Sequence, residues 1–505
     1  MFTKVNSCAN TGLNCELIEI ETDQIRTDQT KFVIVGLPDT AIQEARERVR
    51  LAIKNSGFKT PRYKTIVNLA PADLRKEGPA YDLGIALSVL IATNQIVCQI
   101  ESSIFVGELA LNGNVRQTNG ILPITIFAKE KGIKNLFIPK DNADEASLIS
   151  GLNIYAVESL SDVVLHLQGT KPLTTVKPRL NINLEIEAPS EIDMSFVHGQ
   201  EQAKRALEIA ASGAHNVLMS GPPGSGKTLL ARSLASILPA MSEEEIIEVT
   251  KIYSVAGLLP KDKAIIRRRP FRSPHHTSSG VALVGGGRIP SPGEISLAHR
   301  GILFLDEFPE FTRQVLENLR QPLEDGTVSI SRAHGTLSFP ANFTLIASQN
   351  PCPCGYASDP EKNCTCTTNQ ILNYQKKISG PILDRIDLHI EVPRINFEKM
   401  QSTAQNESSA TIRQRIEKAL EIQAQRFMQT DLKYNNEMRA QDVKKYCPLD
   451  QPSIDLLRSA MNQLHLSARA YHRILKVSRT IADLEQAEKI SSKHIAEALQ
   501  YRSLS

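Results

Sequence analysis

Apolar residues in the first part of the chain recur with two different periods. Short runs rich in β-branched and aromatic residues predict strands. These runs occupy residues 31–35, 65–69, 103–106 and 135–138. Between them, apolar positions at helical spacing predict a helix over residues 39–56. Because strand and helix patterns are mixed, the segment 1–168 is predicted to be an α/β domain.

The pattern changes twice further along the chain. Residues 169–195 carry prolines and polar residues without a sustained period, which indicates a linker. From 196 to about 395, strand and helix signals alternate as a parallel sheet with crossover helices requires. The last segment, 396–505, has almost wholly helical periodicity and predicts a helical lid or C-terminal domain. Its strongest helical stretches are residues 410–429, 453–464, 467–485 and 492–501. The expected fold class is therefore α/β, with a parallel-sheet core, a helical lid and an N-terminal α/β domain.

Length and charge narrow the class of protein. The chain has 505 residues, more than one hydrophobic core normally serves, so two or more domains are expected. The sequence has no uncharged apolar stretch of about 18 residues that could span a bilayer, and residues 1–10 lack a secretory pattern. We expect a cytoplasmic protein without a membrane partner. The net charge of +3 is small, so binding of nucleic acid would depend on local basic patches such as residues 266–272.

A phosphate-binding motif lies between the predicted strand 217–220 and a helical run at 229–238. Its residues are Gly221, Pro222, Pro223, Gly224, Ser225, Gly226, Lys227 and Thr228. In such a P-loop, backbone N–H groups surround the phosphates, Lys227 reaches the β and γ oxygens, and the Thr228 hydroxyl ligates Mg2+. The complete pattern in this context predicts ATP and Mg2+ as cofactors, against the alternative of a chance glycine-rich turn.

Hydrolysis also needs carboxylates beside the P-loop. Residues 302–305 predict a strand buried on both faces, and Asp306 and Glu307 follow it directly. Asp306 would organise the Mg2+ shell, and Glu307 would polarise the attacking water. Asn350 follows another predicted strand, 344–348, and could orient the water or contact the γ-phosphate. The alternative is an ordinary strand that ends in exposed acids.

Two arginine positions suit a site shared between subunits. Arg385 follows a Gly-Pro turn, and an exposed arginine there could reach the γ-phosphate of a neighbouring subunit. The alternative for Arg385 is an ion pair with Asp384 or Asp387. In the predicted lid, Arg469 is favoured over Arg473 as the residue that senses the γ-phosphate, and a surface or structural role is the alternative for each.

Taken in order, several segments resemble the magnesium-chelatase-like branch of AAA+ proteins, and within it the ComM (YifB) family. The segments that carry the resemblance are residues 36–39, 68–78, 107–113, 271–276, 350–355 and 379–385. The resemblance covers nearly the whole chain. It implies a hexameric DNA motor that promotes branch migration while incoming single-stranded DNA is integrated during natural transformation. The implied partners are single-stranded and branched DNA, further copies of the chain in a ring, and recombinase-associated proteins.

The N-terminal domain resembles the Lon protease fold. Residues 76–84 are similar to the stretch where that fold carries its serine, and residues 119–123 to the stretch that carries its lysine. Here Ala80 occupies the first position, and Leu122 or Pro123 the second. Without a hydroxyl and an amine, no Ser-Lys dyad can operate. We expect this domain to be proteolytically inactive and to serve as a collar for DNA or subunits.

The resemblance further implies core insertions that face the centre of the ring. Here they would fall at residues 272–292 and in a predicted hairpin over residues 327–339. The candidate DNA-binding residues are Arg272, Arg288, Arg332 and His334. Such residues would contact backbone phosphates without reading sequence. The alternative is a solvated hairpin that serves only subunit packing.

Four of the eight cysteines are clustered, and the other four are scattered among apolar neighbours. The clustered residues are Cys352, Cys354, Cys364 and Cys366. Four thiolates at this spacing suit a structural, tetrahedral Zn2+. Four free thiols and an iron–sulfur cluster are the alternatives.

The nucleotide motifs alone do not identify what the motor acts on. The leading hypothesis is a DNA helicase or branch-migration motor, supported by the basic segment at 267–269, the hairpin and the family resemblance. The runner-up is a remodelling ATPase that drives a protein partner, as magnesium-chelatase motor subunits do. An ATP-dependent protease is disfavoured because the dyad is missing.

Overall fold

In a computed structural model of the protein, the described residues run from 2 to 502 with gaps. The gaps are residues 28–30, 36–39, 73, 75, 77, 180–191, 261–263, 288–289, 333–334, 360, 396–405 and 465, and only the backbone is described at 40–43, 332 and 335. The chain forms two compact units. The first contains Met1–Asn183 and Ser242–Ile266, and the second contains Leu184–Met241 and Arg267–Ser505.

The strands and helices are numbered along the chain. The strands are β1 (Thr3–Thr11), β2 (Asn14–Ile25), β3 (Phe32–Val35), β4 (Lys64–Ala70), β5 (Ser103–Phe105), β6 (Glu108–Leu109), β7 (Val115–Arg116), β8 (Asn135–Pro139), β9 (Asn153–Val157), β10 (Val217–Ser220), β11 (Phe271–Arg272), β12 (Gly285–Gly286), β13 (Ser291–Pro292), β14 (Ile302–Leu305), β15 (Thr327–Arg332), β16 (Gly335–Pro340), β17 (Thr344–Gln349) and β18 (Leu388–Glu391). The α-helices are α1 (Thr40–Asn55), α2 (Asp82–Ala92), α3 (Ile121–Glu130), α4 (Ala143–Ala146), α5 (Leu160–Leu167), α6 (Glu201–Gly213), α7 (Lys227–Ile237), α8 (Glu243–Ala256), α9 (Gly280–Val284), α10 (Glu294–Leu297), α11 (Arg313–Glu317), α12 (Arg320–Asp325), α13 (Thr368–Gln375), α14 (Gly380–Leu383), α15 (Ser409–Phe427), α16 (Ala440–Tyr446), α17 (Gln451–Gln463), α18 (Ala468–Leu484) and α19 (Ser492–Gln500).

A seven-stranded sheet with the order β3-β4-β2-β1-β5-β8-β9 organises the first unit. Strands β1, β2 and β4 pair antiparallel, and the remaining neighbours pair parallel. Buried and less buried residues alternate along β4, as expected for a strand with one face in the core. Helix α2 packs closely on the sheet, because a Cβ at Gly84 would lie 2.6 Å from Ile20 Cδ1. The predicted strands and the predicted helix of this segment are confirmed.

Helix α8 joins the first unit although it lies between two segments of the second. It begins with a capping box formed by Ser242 and Glu245. It packs against α3, where Ser254 O accepts a 3.0 Å bond from Gly120 N and Ser254 Oγ donates to Glu145 Oε2 at 2.6 Å. These residues were predicted to belong to the segment 196–395, because periodicity reveals an apolar helix face but not the core that this face joins. The predicted domain boundaries stay predictions.

The second unit is built on a five-stranded sheet with the order β11-β14-β17-β10-β18. All four neighbouring pairs are parallel. Every residue of β14 is buried, as a central parallel strand requires. The α/β fold class with a parallel-sheet core is confirmed.

Helices from before, between and after the strands complete the core of the second unit. Leu207 in α6, Leu234 in α7, Ile416 in α15 and Ile481 in α18 belong to one buried cluster. The four helices predicted in the C-terminal segment are present as α15, α17, α18 and α19. Strands β15 and β16 form the predicted hairpin, with Arg332 opposite Gly335 at its end. Among the described residues, none of the helices is both long and apolar enough to cross a membrane.

Candidate nucleotide and metal sites

The P-loop connects β10 to α7 at the carboxyl edge of the parallel sheet. Its backbone makes a sharp turn in which Gly226 has a φ of 90°, a left-handed conformation that glycine adopts without strain. Gly221 is needed for close approach, because a Cβ there would lie 2.2 Å from Val392 O. The loop therefore ends with the free N–H groups of the first turn of α7 facing the edge where phosphates bind.

Lys227 is the first residue of α7 and its side chain is buried. Its Nζ donates to Gly221 O at 2.7 Å, to Pro222 O at 2.9 Å and to Asn350 Oδ1 at 3.3 Å. Burial lowers the pKa of the Lys227 amine, and the nearby Asp306 carboxylate opposes this shift. The amine thus lies over the P-loop and touches Asn350, which the sequence placed at the end of a separate strand.

Asp306 lies at the end of β14, beside the P-loop. Its Oδ2 accepts from Thr228 Oγ1 at 3.2 Å, and its Oδ1 accepts from Ser348 Oγ and, at 3.0 Å, from Glu307 N. A hydroxyl and a carboxylate in contact are the hard oxygen donors that Mg2+ prefers, so these residues fit the predicted metal. The structure therefore brings Lys227, Thr228, Asp306 and Asn350 together, as predicted. Ser348 was not predicted. It could have been found from its position near the end of β17, the strand that Asn350 follows.

Glu307 follows Asp306 but has a different partner. Its backbone is left-handed, with a φ of 53°. Its carboxylate Oε2 lies 3.0 Å from His276 Nδ1, and its side chain is 53% exposed. His276 lies within a segment that carries the family resemblance, but no role was predicted for it. The position of His276 shortly after β11 could have indicated its proximity to Glu307, because β11 is the neighbour of β14 in the sheet.

The two arginine predictions fall in a different place from the P-loop. Arg385, Arg469 and Arg473 line a cavity of about 800 Å3 whose lining includes neither Lys227 nor Asp306. Arg385 was expected to be exposed, and this is wrong: its side chain is 7% exposed. Its guanidinium donates to Pro381 O at 2.6 Å and pairs with Glu324.

Arg385 forms an ion pair, but with a different carboxylate from the two that the sequence suggested. Arg385 pairs with Glu324, which lies 61 residues away and was not considered, whereas Asp387 has Arg473 Nη1 at 3.7 Å. Burial alone would raise the pKa of Asp387, but Arg473 and His215 hold it below its usual value. Arg473 is therefore engaged within the fold, whereas Arg469 is exposed at the cavity.

The candidate DNA contacts are only partly described. Arg272 makes a bidentate pair with Glu294, with both N–O distances at 2.6 Å. Arg288 and His334 lie outside the described residues, as does the side chain of Arg332. Contact between these residues and DNA stays a prediction.

The four clustered cysteines converge. All four sulfurs lie within 4.8 Å of one another, and three of their separations are 3.3, 3.5 and 3.7 Å. A tetrahedral Zn2+ with Zn–S bonds of about 2.3 Å would hold sulfurs about 3.8 Å apart, so the four sulfurs are grouped as a zinc site requires. The loop also packs on the P-loop: a Cβ at Gly355 would lie 2.6 Å from Pro223 Cδ and 3.8 Å from Asn350 Cγ.

Comparisons with known proteins cover almost the whole chain. Residues 193–400 match the family described as "Magnesium chelatase, subunit ChlI", residues 20–142 match "Subunit ChlI of Mg-chelatase", and residues 406–502 match "Magnesium chelatase, subunit ChlI C-terminal". "Competence protein ComM" of Haemophilus influenzae is 44% identical over 507 residues, with 99% of this chain and 97% of the relative covered.

Two further relatives place the chain within this group. "Uncharacterized protein YifB" of Escherichia coli is 42% identical, with 99% of this chain and 97% of the relative covered. "Magnesium-chelatase 67 kDa subunit" of Heliobacterium mobile is 25% identical over 45% of this chain and 38% of the relative. With full-length identity above 40% to ComM and YifB, the chain belongs to the ComM/YifB family of magnesium-chelatase-like AAA+ ATPases.

Proposed function

We propose that the chain is an ATP-driven, hexameric DNA motor of the cytoplasm that migrates branched DNA while single-stranded DNA is integrated by homologous recombination during natural transformation. The observation that carries the motor chemistry is the meeting of Lys227, Thr228, Asp306 and Asn350 at one sheet edge. The role in transformation rests on the likeness to the competence protein ComM.

The residues of one chain divide the work on ATP. Backbone N–H groups of the non-proline residues of 221–228 and the Lys227 amine bind the phosphates, and Thr228 and Asp306 would hold Mg2+. When bound there, the metal would supply positive charge that offsets the charge of the triphosphate. Glu307 takes the proton of the attacking water as the new P–O bond forms, while the bond to the bridging oxygen breaks and ADP leaves with its electrons. Asn350 orients the γ-phosphate through its amide.

A second copy of the chain completes the site. Arg385 and the exposed Arg469 line a cavity that is separate from the P-loop of the same chain. Several polar atoms in this cavity lining are buried without a hydrogen-bond partner among the described residues, including Arg385 Nε and Arg473 Nη1. These buried atoms are not reached from outside the chain, whereas the Arg469 guanidinium is exposed at the cavity. A γ-phosphate presented by an adjacent subunit would be an acceptor for Arg469, which favours a head-to-tail ring.

The clustered cysteines hold a structural Zn2+ in this proposal. Four thiolates leave no open coordination position, so the metal would organise the loop and take no part in hydrolysis. The loop contacts Pro223 and Asn350, and its folding therefore supports the nucleotide site.

The substrate of the motor is the finer part of the proposal. DNA is favoured by the full-length likeness to the competence protein ComM. Single-stranded and branched DNA are the expected ligands, and recombinase-associated proteins are expected to act with the ring. The second candidate, remodelling of a protein partner, is favoured by the partial likeness to a magnesium-chelatase subunit.

A labelled three-strand or four-way DNA junction tests the choice of substrate. The purified chain with ATP and Mg2+ is expected to displace or migrate the labelled strand, and Glu307→Gln is expected to bind the junction without moving it. The assay is run at low salt, because phosphate contacts weaken steeply as salt rises. An active ATPase that leaves the junction unchanged would favour the protein-remodelling candidate.

A further inference from the structure

Asn216 lies at the amino edge of the parallel sheet, directly before β10. It is buried, and β10 runs between β17 and β18 in the sheet. The P-loop follows the other end of β10, and the chain around Arg385 leads into the amino end of β18. One short strand therefore has a phosphate-binding loop at its carboxyl end and the neighbourhood of Arg385 at its amino end.

The side-chain amide of Asn216 joins the chain segments on both sides of β10. Its Nδ2 donates to Arg385 O at 3.0 Å, and its Oδ1 accepts from Leu345 N at 2.8 Å. The main chain of Asn216 adds two bonds to Asp387: its N–H donates to Asp387 Oδ2 at 3.2 Å, and its O accepts from Asp387 N at 3.0 Å. A buried amide that is paired at both ends has one favoured rotamer, because another would leave these groups unsatisfied. The backbone at Arg385 is thus held to the sheet by the residue that precedes β10.

Leu345 extends this connection to the nucleotide site. It is the second residue of β17, a strand that is largely buried and pairs in parallel with β14 on one side and β10 on the other. Asn350 directly follows β17, and its Oδ1 accepts from Lys227 Nζ at 3.3 Å. A central strand keeps its register, because a slip would break the ladder on both sides. The Arg385 backbone is therefore fixed relative to a strand whose far end leads to the P-loop lysine.

The side chain of Arg385 has separate partners. Its guanidinium donates to Pro381 O at 2.6 Å and pairs with Glu324, whose side chain is 56% exposed. A phosphate offers a guanidinium the same kind of charged acceptor as this carboxylate. The guanidinium can therefore exchange Glu324 for a phosphate while Asn216 keeps the backbone, from which the side chain projects, in place.

We propose that Asn216 is a positioning residue that fixes the backbone of Arg385 and so sets where the Arg385 guanidinium lies for the ATP of the adjacent subunit. This inference rests on the proposed function, in which Arg385 acts across the interface. Loss of the Asn216 amide frees the Arg385 carbonyl but leaves the P-loop contacts of the same chain, which lie at the other end of β10. A displacement of about 1 Å in a group that acts on the transition state costs about a hundredfold in rate.

The first test compares Asn216→Ala with Asn435→Ala in the full-length protein without DNA. For Asn216→Ala we expect kcat for ATP hydrolysis to fall about a hundredfold, while the dissociation constant for ATP stays within about twofold of the wild-type value. Asn435 is also buried in the second unit, but its amide donates to Thr480 and Asp483 instead. Its kcat should stay within about twofold, at a temperature at which circular dichroism shows both variants to be folded. Equal losses of kcat would overturn the proposal in favour of general destabilisation.

Mixed rings give a readout that a purely structural role would not produce. In rings of Asn216→Ala and Lys227→Ala subunits, some interfaces place the intact P-loop of the first variant against the intact Arg385 of the second. Hydrolysis should return to the level of the matching mixture of Arg385→Ala and Lys227→Ala. A defect of Asn216→Ala in its own P-loop would not be rescued in this way. Absence of rescue for Asn216→Ala, where Arg385→Ala is rescued, would overturn the proposal.

A second variant separates the bond to Arg385 from the bond to β17. Asn216→Asp keeps the size of the side chain and an acceptor for Leu345 N, but its ionised carboxylate cannot donate to Arg385 O. We expect the same loss of kcat and the same rescue, and this variant carries the test if Asn216→Ala does not fold. Turnover by Asn216→Asp at the wild-type level would contradict the assigned role.

The mixture of Arg385→Ala with Lys227→Ala keeps this proposal separate from the proposed function. If that mixture shows no rescue, Arg385 does not act across the interface, and the inference about Asn216 fails with that part of the proposed function. If only the Asn216 variants lack rescue, the inference alone fails. DNA is absent from every measurement, so the outcome does not depend on what the motor acts on.

Discussion

The two regions that would meet a triphosphate differ in how completely their polar groups are satisfied. At the P-loop, the Lys227 amine has three acceptors, and the Asp306 carboxylate is bound by Thr228, Ser348 and the Glu307 backbone. In the arginine cavity, Arg385 Nε and His472 Nδ1 are buried without a hydrogen-bond partner among the described residues. The groups of one region are paired within a single chain, and the other region keeps some buried polar atoms without partners.

This difference suggests how the ring would control hydrolysis. A preorganised P-loop can bind ATP in an isolated chain, because its donors already converge. In the proposed ring, the exposed Arg469 guanidinium at the arginine cavity would meet a phosphate only when another chain brings one to it. Binding would then be a property of one subunit, and turnover a property of the interface.

The largest effect is expected from removing the amine of the preorganised region. Lys227→Ala should abolish ATP binding and reduce hydrolysis by at least about a thousandfold, because it removes the cation that lies over the P-loop. Calorimetric titration with ATP and release of phosphate measure the two losses. Lys493→Ala, which removes an exposed lysine paired with Glu485, is the matched control and should behave as the wild type. Normal hydrolysis by Lys227→Ala would remove the basis of the assignment.

Replacing the buried arginine tests the other region. Arg385→Ala should bind ATP normally but lose turnover by about a thousandfold, the scale on which an arginine stabilises charge in phosphoryl transfer. Arg458→Ala, at an exposed arginine paired with Asp455, serves as the control. Phosphate release and nucleotide binding are measured on the same preparations.

Mixed rings decide whether Arg385 acts across an interface. Rings that combine Arg385→Ala and Lys227→Ala subunits contain interfaces in which an intact P-loop faces an intact arginine. We therefore expect part of the hydrolysis to return on mixing, although each variant alone is inactive. If mixing restores nothing, the pair with Glu324 would be the main role of Arg385, and the arginine would act only within its own chain.

The preorganised region was also the one that sequence predicted well. A P-loop specifies its own backbone conformation, and residues that follow parallel strands meet at one edge of the sheet, so Lys227, Asp306 and Asn350 could be placed together. The strands and helices around them followed from periodicity. These residues are distant in sequence, but local motifs together with the geometry of parallel sheets were enough to place them at one edge.

The remainder depended on contacts between residues that are distant in sequence. Pairing of Arg385 with Glu324, the contact of His276 with Glu307, and the packing of α8 in the first unit each join segments that no local pattern links. Arg385 was expected to be exposed but is buried. The Gly-Pro turn predicts the path of the backbone, but it does not predict which carboxylate the side chain reaches.

Replacing Arg469 or Arg473 should have a smaller effect on turnover, and the two variants test which arginine of the cavity senses phosphate. They lie one turn apart on α18, but Arg473 is near the buried Asp387, whereas Arg469 is exposed. Arg469→Ala should lower kcat about thirtyfold without changing the melting temperature. Arg473→Ala should lower the free energy of unfolding by about 3 kcal/mol, because it removes an ion partner from a buried carboxylate. Steady-state turnover and thermal unfolding of both variants measure the split, and the reverse pattern would make Arg473 the sensing residue.

The smallest effect is expected from a change in the cysteine loop. This change tests whether the P-loop keeps its conformation without support from that loop. Cys352→Ser should lose the one bound zinc per chain and weaken ATP binding about fivefold, because Gly355 would no longer support Pro223 and Asn350. Cys98→Ser, at a cysteine outside the cluster, should retain both zinc and affinity. Metal content by mass spectrometry and nucleotide titration give the result.

Four freely titrating thiols in a zinc-free wild type would support the free-thiol alternative, and bound iron with sulfide would support an iron–sulfur cluster. Zinc loss with unchanged ATP affinity would show that the P-loop needs no support from the metal loop.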